Sequence, residues 1–200
     1  MPMVRGGFGT VVADPPWPYD TTVKGVPAMQ KPINEVQRGD KGVSDFTYPV
    51  MSVEEITELP VRTVAGPNAH LYLWVTNAFM REGFDIMDAW GFKFKTVLTW
   101  GKVKKGKTLE PSMKTGWWYR GATEHCLFGV RGKVRKPTAA IPTLLLHERI
   151  QRHSEKPETF LTDMVEKVSP GPYLEMFSRR ERDGWYSWGN QVGELNEGDG

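Results

Sequence analysis

Apolar positions along the chain follow two rhythms. Short β-branched and aliphatic runs, bounded by turn formers, alternate with stretches in which apolar residues recur every three or four positions. The first run, Gly9-Thr10-Val11-Val12, predicts a buried strand. Ala69-His70-Leu71-Tyr72-Leu73-Trp74-Val75 predicts a second, residues 94–100 a third, 124–130 a fourth and 172–177 the last long one, with Trp185-Tyr186-Ser187-Trp188-Gly189-Asn190 beyond it. Ser52-Val53-Glu54-Glu55 has the pattern of a capping box, so a short helix is expected to run to Leu59, where Pro60 ends it. Asn77 stands where it can cap a second helix. Met80, Phe84, Met87 and Trp90 then recur at helical spacing until Gly91. Pro157 opens a third helical pattern over 157–168, closed by Ser169-Pro170-Gly171. Residues 144–150 read equally as strand or helix, and the basic, proline-containing segment 131–143 reads as a loop. Strands alternating with helices predict an α/β fold with helices on the faces of a sheet.

Residues 19–49 show no periodicity. A structureless stretch of that length inside a folded chain is a functional lid or a disordered segment. The 200 residues are 39% hydrophobic and 25% charged, which suits a globular protein with a real core. We place one domain over 1–192, with an acidic, glycine-rich flexible tail at 193–200. No apolar run reaches membrane-spanning length and no signal peptide opens the chain. The single cysteine, Cys126, excludes an internal disulfide and fits a reducing, cytoplasmic setting.

Charge changes this picture through its placement. The formal net charge is only +2, yet residues 91–136 hold twelve Lys and Arg against Glu110 and Glu124, a local net of +10. A block of that size marks a polyanion-binding side, and nucleic acid is the expected partner. Lys102, Lys104 and Lys105, with Trp117, Trp118 and Arg120 following, combine phosphate-binding charge with rings that can stack on bases.

The candidate chemistry lies just after the first strand, at Ala13-Asp14-Pro15-Pro16-Trp17-Pro18. Consecutive prolines cannot continue a ladder, so the chain leaves the sheet there. The carboxyl ends of strands are where open α/β sheets bind ligands. Asp14 and the stiffly held proline carbonyls accept hydrogen bonds, and Trp17 offers a flat face. Two acceptors beside a stacking platform suit a planar ring bearing an amino group, such as adenine. Accepting both N–H bonds localises the nitrogen lone pair, which can then attack an electrophilic methyl group in line. His125 and His153 lack the paired spacing of metal ligands, and no metal is expected.

These residues resemble the Asp-Pro-Pro-Trp family of adenine-N6 methyltransferases, the group of the messenger-RNA adenosine methyltransferases and many bacterial and phage relatives. The likeness spans nearly the whole chain in the family's order. It runs through residues 11–17, Leu71-Tyr72-Leu73-Trp74-Val75-Thr76, Trp90-Gly91-Phe92, Thr99-Trp100, Gly116-Trp117-Trp118, Glu124-His125-Cys126-Leu127, His153-Ser154-Glu155-Lys156-Pro157, Leu174-Glu175-Met176-Phe177-Ser178-Arg179 and Trp188-Gly189-Asn190-Gln191. It implies a Rossmann-like, S-adenosylmethionine-dependent fold with a mostly parallel sheet and a permuted motif order. Carried over by position, Asp14 and the Pro15 carbonyl, within the rigid Pro15-Pro16 turn, would hold the target amine, and Trp17 would stack on the base. Asp14 would also border the cofactor. Lys156 would pair with its methionine carboxylate, Phe177 and Arg179 would lie near its ribose, and Asn190 and Gln191 would contact ribose and adenine. Segments 19–49 and 102–120 would close over substrate.

Two departures stand out. Only thirteen residues precede Asp14, and Arg182, after Glu181, stands where the family has an asparagine. The small size and lack of accessory domains favour DNA over RNA by analogy. A cytosine-N4 methyltransferase, or a non-catalytic nucleic-acid-binding subunit, is the rival reading. The sequence leaves a homodimer or heterodimer open.

Overall fold

The computed structural model describes residues 1–18, 50–113, 118–134, 137, 140–150, 155–178 and 180–189. Seven strands make one sheet: β1 (Phe8–Ala13), β2 (Ala65–Val75), β3 (Lys93–Val103), β4 (Thr123–Arg131), β5 (Leu144–Glu148), β6 (Tyr173–Met176) and β7 (Trp185–Trp188). Their order is β5-β3-β4-β2-β1-β6-β7. Strand β4 runs antiparallel to β2 and β3, and every other neighbouring pair is parallel.

The strands form where the apolar runs lie. Strand β1 is buried throughout, as a central parallel strand covered on both faces must be. Its side chains alternate between two cores. Val11 and Ala13 join Leu71, Leu73, Leu174 and Met176 on one face. Val12 joins Tyr72, Trp74 and Cys126 on the other. The first face is covered by α1 (Val53–Thr57), α2 (Val61–Val64) and α3 (Met80–Ala89) through Ile56, Val61, Ile86 and Met87. The second is covered by a π-helical segment, Phe160–Val165, running into α4 (Glu166–Val168). The architecture is a Rossmann-like, mostly parallel α/β sheet with helices on both faces.

The capping box at α1 forms as expected: Ser52 Oγ accepts from the Glu55 amide at 3.1 Å, and Glu55 Oε2 accepts from the Ser52 amide at 2.7 Å. Other elements differ from the pattern-based reading. Strand β2 begins at Ala65 rather than 69, β3 continues to Val103, and α2 carries no periodic signal. Asn77 opens a 3-10 turn, Asn77–Phe79, instead of capping α3. Residues 144–148 are a strand because they pair in parallel with β3, Thr99 opposite Leu144 and Val103 opposite Glu148. Gly91, at φ +82°, ends α3 in the left-handed conformation that a side chain would oppose.

The topology gathers one edge. The carboxyl ends of β1, β2, β3, β5, β6 and β7 point the same way, and antiparallel β4 brings its amino end to meet them. Ala13 is level with Leu73 and Met176, Val75 with His125, and Trp100 with Glu124. Asp14, Glu124 and Phe177 therefore follow or occupy strand ends at one rim. Segments 19–49 and 193–200, read above as lid and tail, lie outside the described residues.

Candidate active site

The chain turns sharply after Ala13. The Pro15 carbonyl accepts the Trp17 amide at 2.9 Å, and the Pro16 carbonyl accepts the Met51 amide at 3.0 Å. The second bond ties the corner to the chain where it returns from 19–49. Trp17 is only 3% exposed. Its indole N–H donates to the Trp74 carbonyl at 3.1 Å, and its ring stacks on Phe79 at 5.2 Å and 15°. Trp17, expected to present its face to a base, lies buried in this structure. The ring is a core side chain that pins the Asp-Pro-Pro turn to the end of β2, because burying that large aromatic surface and satisfying its N–H outweigh exposing it.

Asp14 meets Lys156 there. Lys156 Nζ lies 2.5 Å from Asp14 Oδ2 and 3.5 Å from Glu124 Oε2. The other Glu124 oxygen pairs with Lys102. Both ammonium groups sit over indoles, Lys156 at 5.2 Å from the Trp74 ring and Lys102 at 4.5 Å from Trp100. The result is an alternating chain, Lys102–Glu124–Lys156–Asp14, assembled from β3, β4, the start of the last helical segment and the end of β1. Burial works against charge on Glu124, but Lys156 and Lys102 beside it hold its carboxyl below the usual range. Burial likewise opposes the Lys156 charge, and Asp14 and Glu124 more than offset it, raising that ammonium.

Lys102 was expected in a loop tracking phosphates. It is instead inside β3, 7% exposed and committed to Glu124. Strand β3 extends three residues past the predicted end, which turns this side chain inward. Arg131 of the basic block is also spent within the fold, its Nη1 donating to the carbonyls of Arg62 and Ala65. Lys104 and Lys105 are exposed, Lys104 pairing with Glu110. Trp118 and Tyr119 are 93% and 91% exposed, and Arg120 is exposed beside them.

Phe177 follows β6 with φ +63°, a conformation costly for a non-glycine residue and concentrated at functional sites. Its ring packs edge-on against Trp188 at 5.4 Å. A Cβ on Gly189 would come within 2.3 Å of the Ser178 carbonyl oxygen, so this strand-end contact requires glycine. Trp117, Arg179, Asn190 and Gln191 lie outside the described residues.

A second ionic cluster adjoins the first. Arg180 pairs with Glu158 at 2.6 Å and with Glu155 at 3.5 Å, and Arg182 pairs with Glu158. Glu175, level with Val12 on β6, lies 3.7 Å from Arg182 Nε, yet neither Glu175 Oε2 nor Arg182 Nε makes a hydrogen bond. Arg182 directs its Nη1 to Glu158, so burial dominates at Glu175. With Asp14 adding repulsion, burial pushes its carboxyl up to about 7, against the opposing pull of Arg180.

Sequence reasoning assigned no role to Glu124 or Glu175. The signals were present: Glu124 is one of two acids in a basic block of 46 residues, and Glu175 is a charge inside an otherwise apolar strand. Among the described residues, no group of three or more His, Cys, Asp or Glu could hold a metal ion, and no helix is long and apolar enough to cross a membrane.

Comparison with known proteins bears on the same residues. The MT-A70 family model matches residues 8–191. A bacterial relative, the type II methyltransferase M.MunI of Mycoplasma sp, is 29% identical over 94% of this chain and 79% of its own length. The N(6)-adenosine-methyltransferase MT-A70-like protein of Arabidopsis thaliana is 28% identical over 98% of this chain. The human N(6)-adenosine-methyltransferase catalytic subunit METTL3 is 26% identical over 94%. This chain spans only 26% and 29% of those two proteins. The matched stretch opens on β1, takes in the Asp14 corner and Lys156, and runs past β7, and on that extent the chain belongs to the MT-A70 family.

Proposed function

We propose that this protein transfers a methyl group from S-adenosylmethionine to the N6 amine of adenine in nucleic acid. The observation that carries the reading is the meeting of Asp14, on its pinned Asp-Pro-Pro turn, with Lys156 at the carboxyl rim of a Rossmann-like sheet. The rim fits a zwitterionic, aromatic cofactor. Lys156 offers an ammonium for its carboxylate, and Asp14 and Glu124 are counter-charges for its amino group. Phe177 and Trp188 supply apolar surface at the neighbouring strand ends. Arg179, Asn190 and Gln191 are the proposed ribose and adenine contacts. When bound, the cofactor supplies a methyl group made electrophilic by a positively charged sulfur.

The chain's own residues then do the rest. Asp14 and the second lone pair of the Pro15 carbonyl accept the two N–H bonds of the target amine, which localises the nitrogen lone pair and stabilises the positive charge that develops there. Trp17 contributes by holding this turn rigid, since loss of fit of about 1 Å costs on the order of a hundredfold in rate. Stacked in a duplex, the adenine cannot reach the rim, so it enters single-stranded or flipped out. Lys104, Lys105, Trp118, Tyr119 and Arg120 form the exposed basic and aromatic surface that would hold the flanking strand, with Trp117 beside them in sequence.

Of the two nucleic acids we favour DNA, because a relative matched over 79% of its own length is a bacterial type II methyltransferase. The test is incubation with labelled S-adenosylmethionine and matched single- and double-stranded DNA and RNA, followed by nucleoside analysis. Label in N6-methyladenine is expected. Label in N4-methylcytosine would move the assignment to the cytosine amine. Failure to bind the cofactor would identify a non-catalytic subunit.

A further inference from the structure

We propose that the cleft between β5 and the loop after β3 is a second nucleic-acid subsite, which takes an unstacked guanine of the substrate strand and reads it through Glu148. This rests on the reading of the rim as an adenine methylation site.

A short loop builds one wall. After β3 the chain turns at Lys104-Lys105-Gly106-Lys107, where the Lys107 amide donates to the Lys104 carbonyl at 3.0 Å and Gly106 takes φ +71°. A positive φ at the third position of such a turn favours glycine. The loop is closed at its base. The Lys104 amide donates to the Glu110 carbonyl at 2.9 Å, the Ser112 amide donates to the Lys102 carbonyl at 2.7 Å, and the Lys104 and Glu110 side chains pair. The turn aims the Gly106 amide at Glu148 Oε1, 2.7 Å away. Glu148 ends β5 level with Val103, so strand and loop enclose a cavity of about 550 Å³, within the range of small-ligand sites. Val103, Leu109 and Leu146 wall it with apolar surface, and Lys107, Thr108 and Glu148 line it with polar groups.

Glu148 decides which base fits. The loop amide orients one carboxylate oxygen, and lone pairs remain on both. A carboxylate so placed accepts two neighbouring N–H donors. Of the common bases only guanine carries them on adjacent nitrogens, N1–H and N2–H. Adenine and cytosine set a ring acceptor beside their amine, and thymine and uracil flank a single N–H with carbonyls, which a carboxylate repels. The leucines offer apolar contact to the ring. Lys107, with Lys105 on the same turn, offers ammonium groups to the adjoining phosphates. The location suits the same strand. Glu148 lies at the carboxyl end of β5, on the rim that holds Asp14, and the order β5-β3-β4-β2-β1 sets it four strand spacings away, about 19 Å. At about 3.4 Å per nucleotide a stacked strand covers that distance in about six positions, and an extended strand in fewer.

The test uses the full chain and single-stranded DNA carrying one adenine in a thymine background, with one guanine stepped through about six positions on either side. Transfer of labelled methyl gives kcat/KM for each strand, and fluorescence anisotropy gives affinity without cofactor. Guanine at one position should raise both about tenfold over the guanine-free strand. Inosine there, which lacks only the N2 amine, should lose most of that gain. Glu148→Gln keeps an oxygen for the Gly106 amide but turns an N–H towards the base. It should melt as wild type does, methylate the guanine-free strand within about twofold of the wild-type rate, and show no guanine preference. The proposal is overturned if no position gives more than about a threefold preference, if inosine serves as well as guanine, or if Glu148→Gln keeps the preference. It is also overturned if the wild type is a dimer that Leu109→Glu dissociates while neither form prefers guanine, since the cleft then belongs to a second copy of the chain. Guanine-selective binding by a protein that methylates no strand would uphold the subsite and fail the reading of the rim. Methylated adenine with no guanine preference would do the reverse.

Discussion

Two ionic clusters lie side by side at the carboxyl rim, and they are built differently. In the first, Lys102, Glu124, Lys156 and Asp14 alternate in sign and each charge meets an opposite one. In the second, Glu158 gathers both Arg180 and Arg182, while Glu175 and the Arg182 Nε face each other at 3.7 Å without a hydrogen bond. Burial is opposed by partners in the first, so Glu124 is held charged. In the second, burial with Asp14 beside it outweighs the pull of Arg180 and the Ser178 hydrogen bond, so Glu175 keeps its proton to about 7. What separates them is whether a counter-charge arrives at bonding distance, since burial alone favours the neutral form of any carboxyl group.

The largest effect should come from Asp14→Ala. Removing the acceptor that touches the reacting amine is expected to lower methyl transfer by at least about a thousandfold, while cofactor affinity changes far less. Parallel transfer and calorimetry measurements check it, and transfer at the wild-type rate would remove Asp14 from the chemistry.

Lys156→Met breaks the balanced cluster from its centre. Asp14 and Glu124 then face each other without the ammonium between them, at an expected cost of about 2 kcal/mol in stability. Denaturant unfolding at neutral pH measures this, and an unchanged midpoint would mean that the cluster contributes nothing to folding.

Glu175→Gln probes the other cluster and should act in the opposite direction. The native carboxyl titrates near 7, above its unfolded value of 4.5, so the native state binds the extra proton between those values. Stability therefore falls as pH rises from about 4.5 to 7, and stays reduced above that. The amide removes the penalty, for a gain on the order of 2 kcal/mol at pH 8 and none at pH 4. Melting temperatures across that range decide it. A gain that persists at pH 4 would point to packing rather than to the proton, with Asp14, Arg180 and Arg182 as the charges facing this group.

Arg180→Ala should do least. Its pairs with Glu155 and Glu158 are exposed, and such pairs are worth about 0.5 kcal/mol. A larger loss in melting would show that the second cluster is more cooperative than its exposure suggests.

Local patterning was sufficient for elements whose signals are local. The β-branched and aliphatic runs became β1, β2, β4 and β6, and Ser52 with Glu55 formed the expected cap. It was insufficient where pairing across the sheet decides the state. Residues 144–148 are a strand because β3 offers an open edge, and β3 continues to Val103 because β5 and the start of β4 flank it. The same extension carried Lys102 from an expected phosphate contact into the core, while Lys104, two residues on, remained exposed.

By itself, then, the sequence determined the family, the Asp14-Pro15-Pro16-Trp17 corner and its place after a buried strand, because proline geometry and strand periodicity act over a few residues. The tertiary structure alone decided the partners. Lys156 is 142 positions from Asp14 and Glu124 is 22 from Lys102, and they meet only because six strand ends and the start of one antiparallel strand share a rim. It also decided that Trp17 is a buried pin. Whether an aromatic faces ligand or core depends on which rings and carbonyls surround it, here Phe79 and Trp74, and no stretch of sequence carries that information by itself.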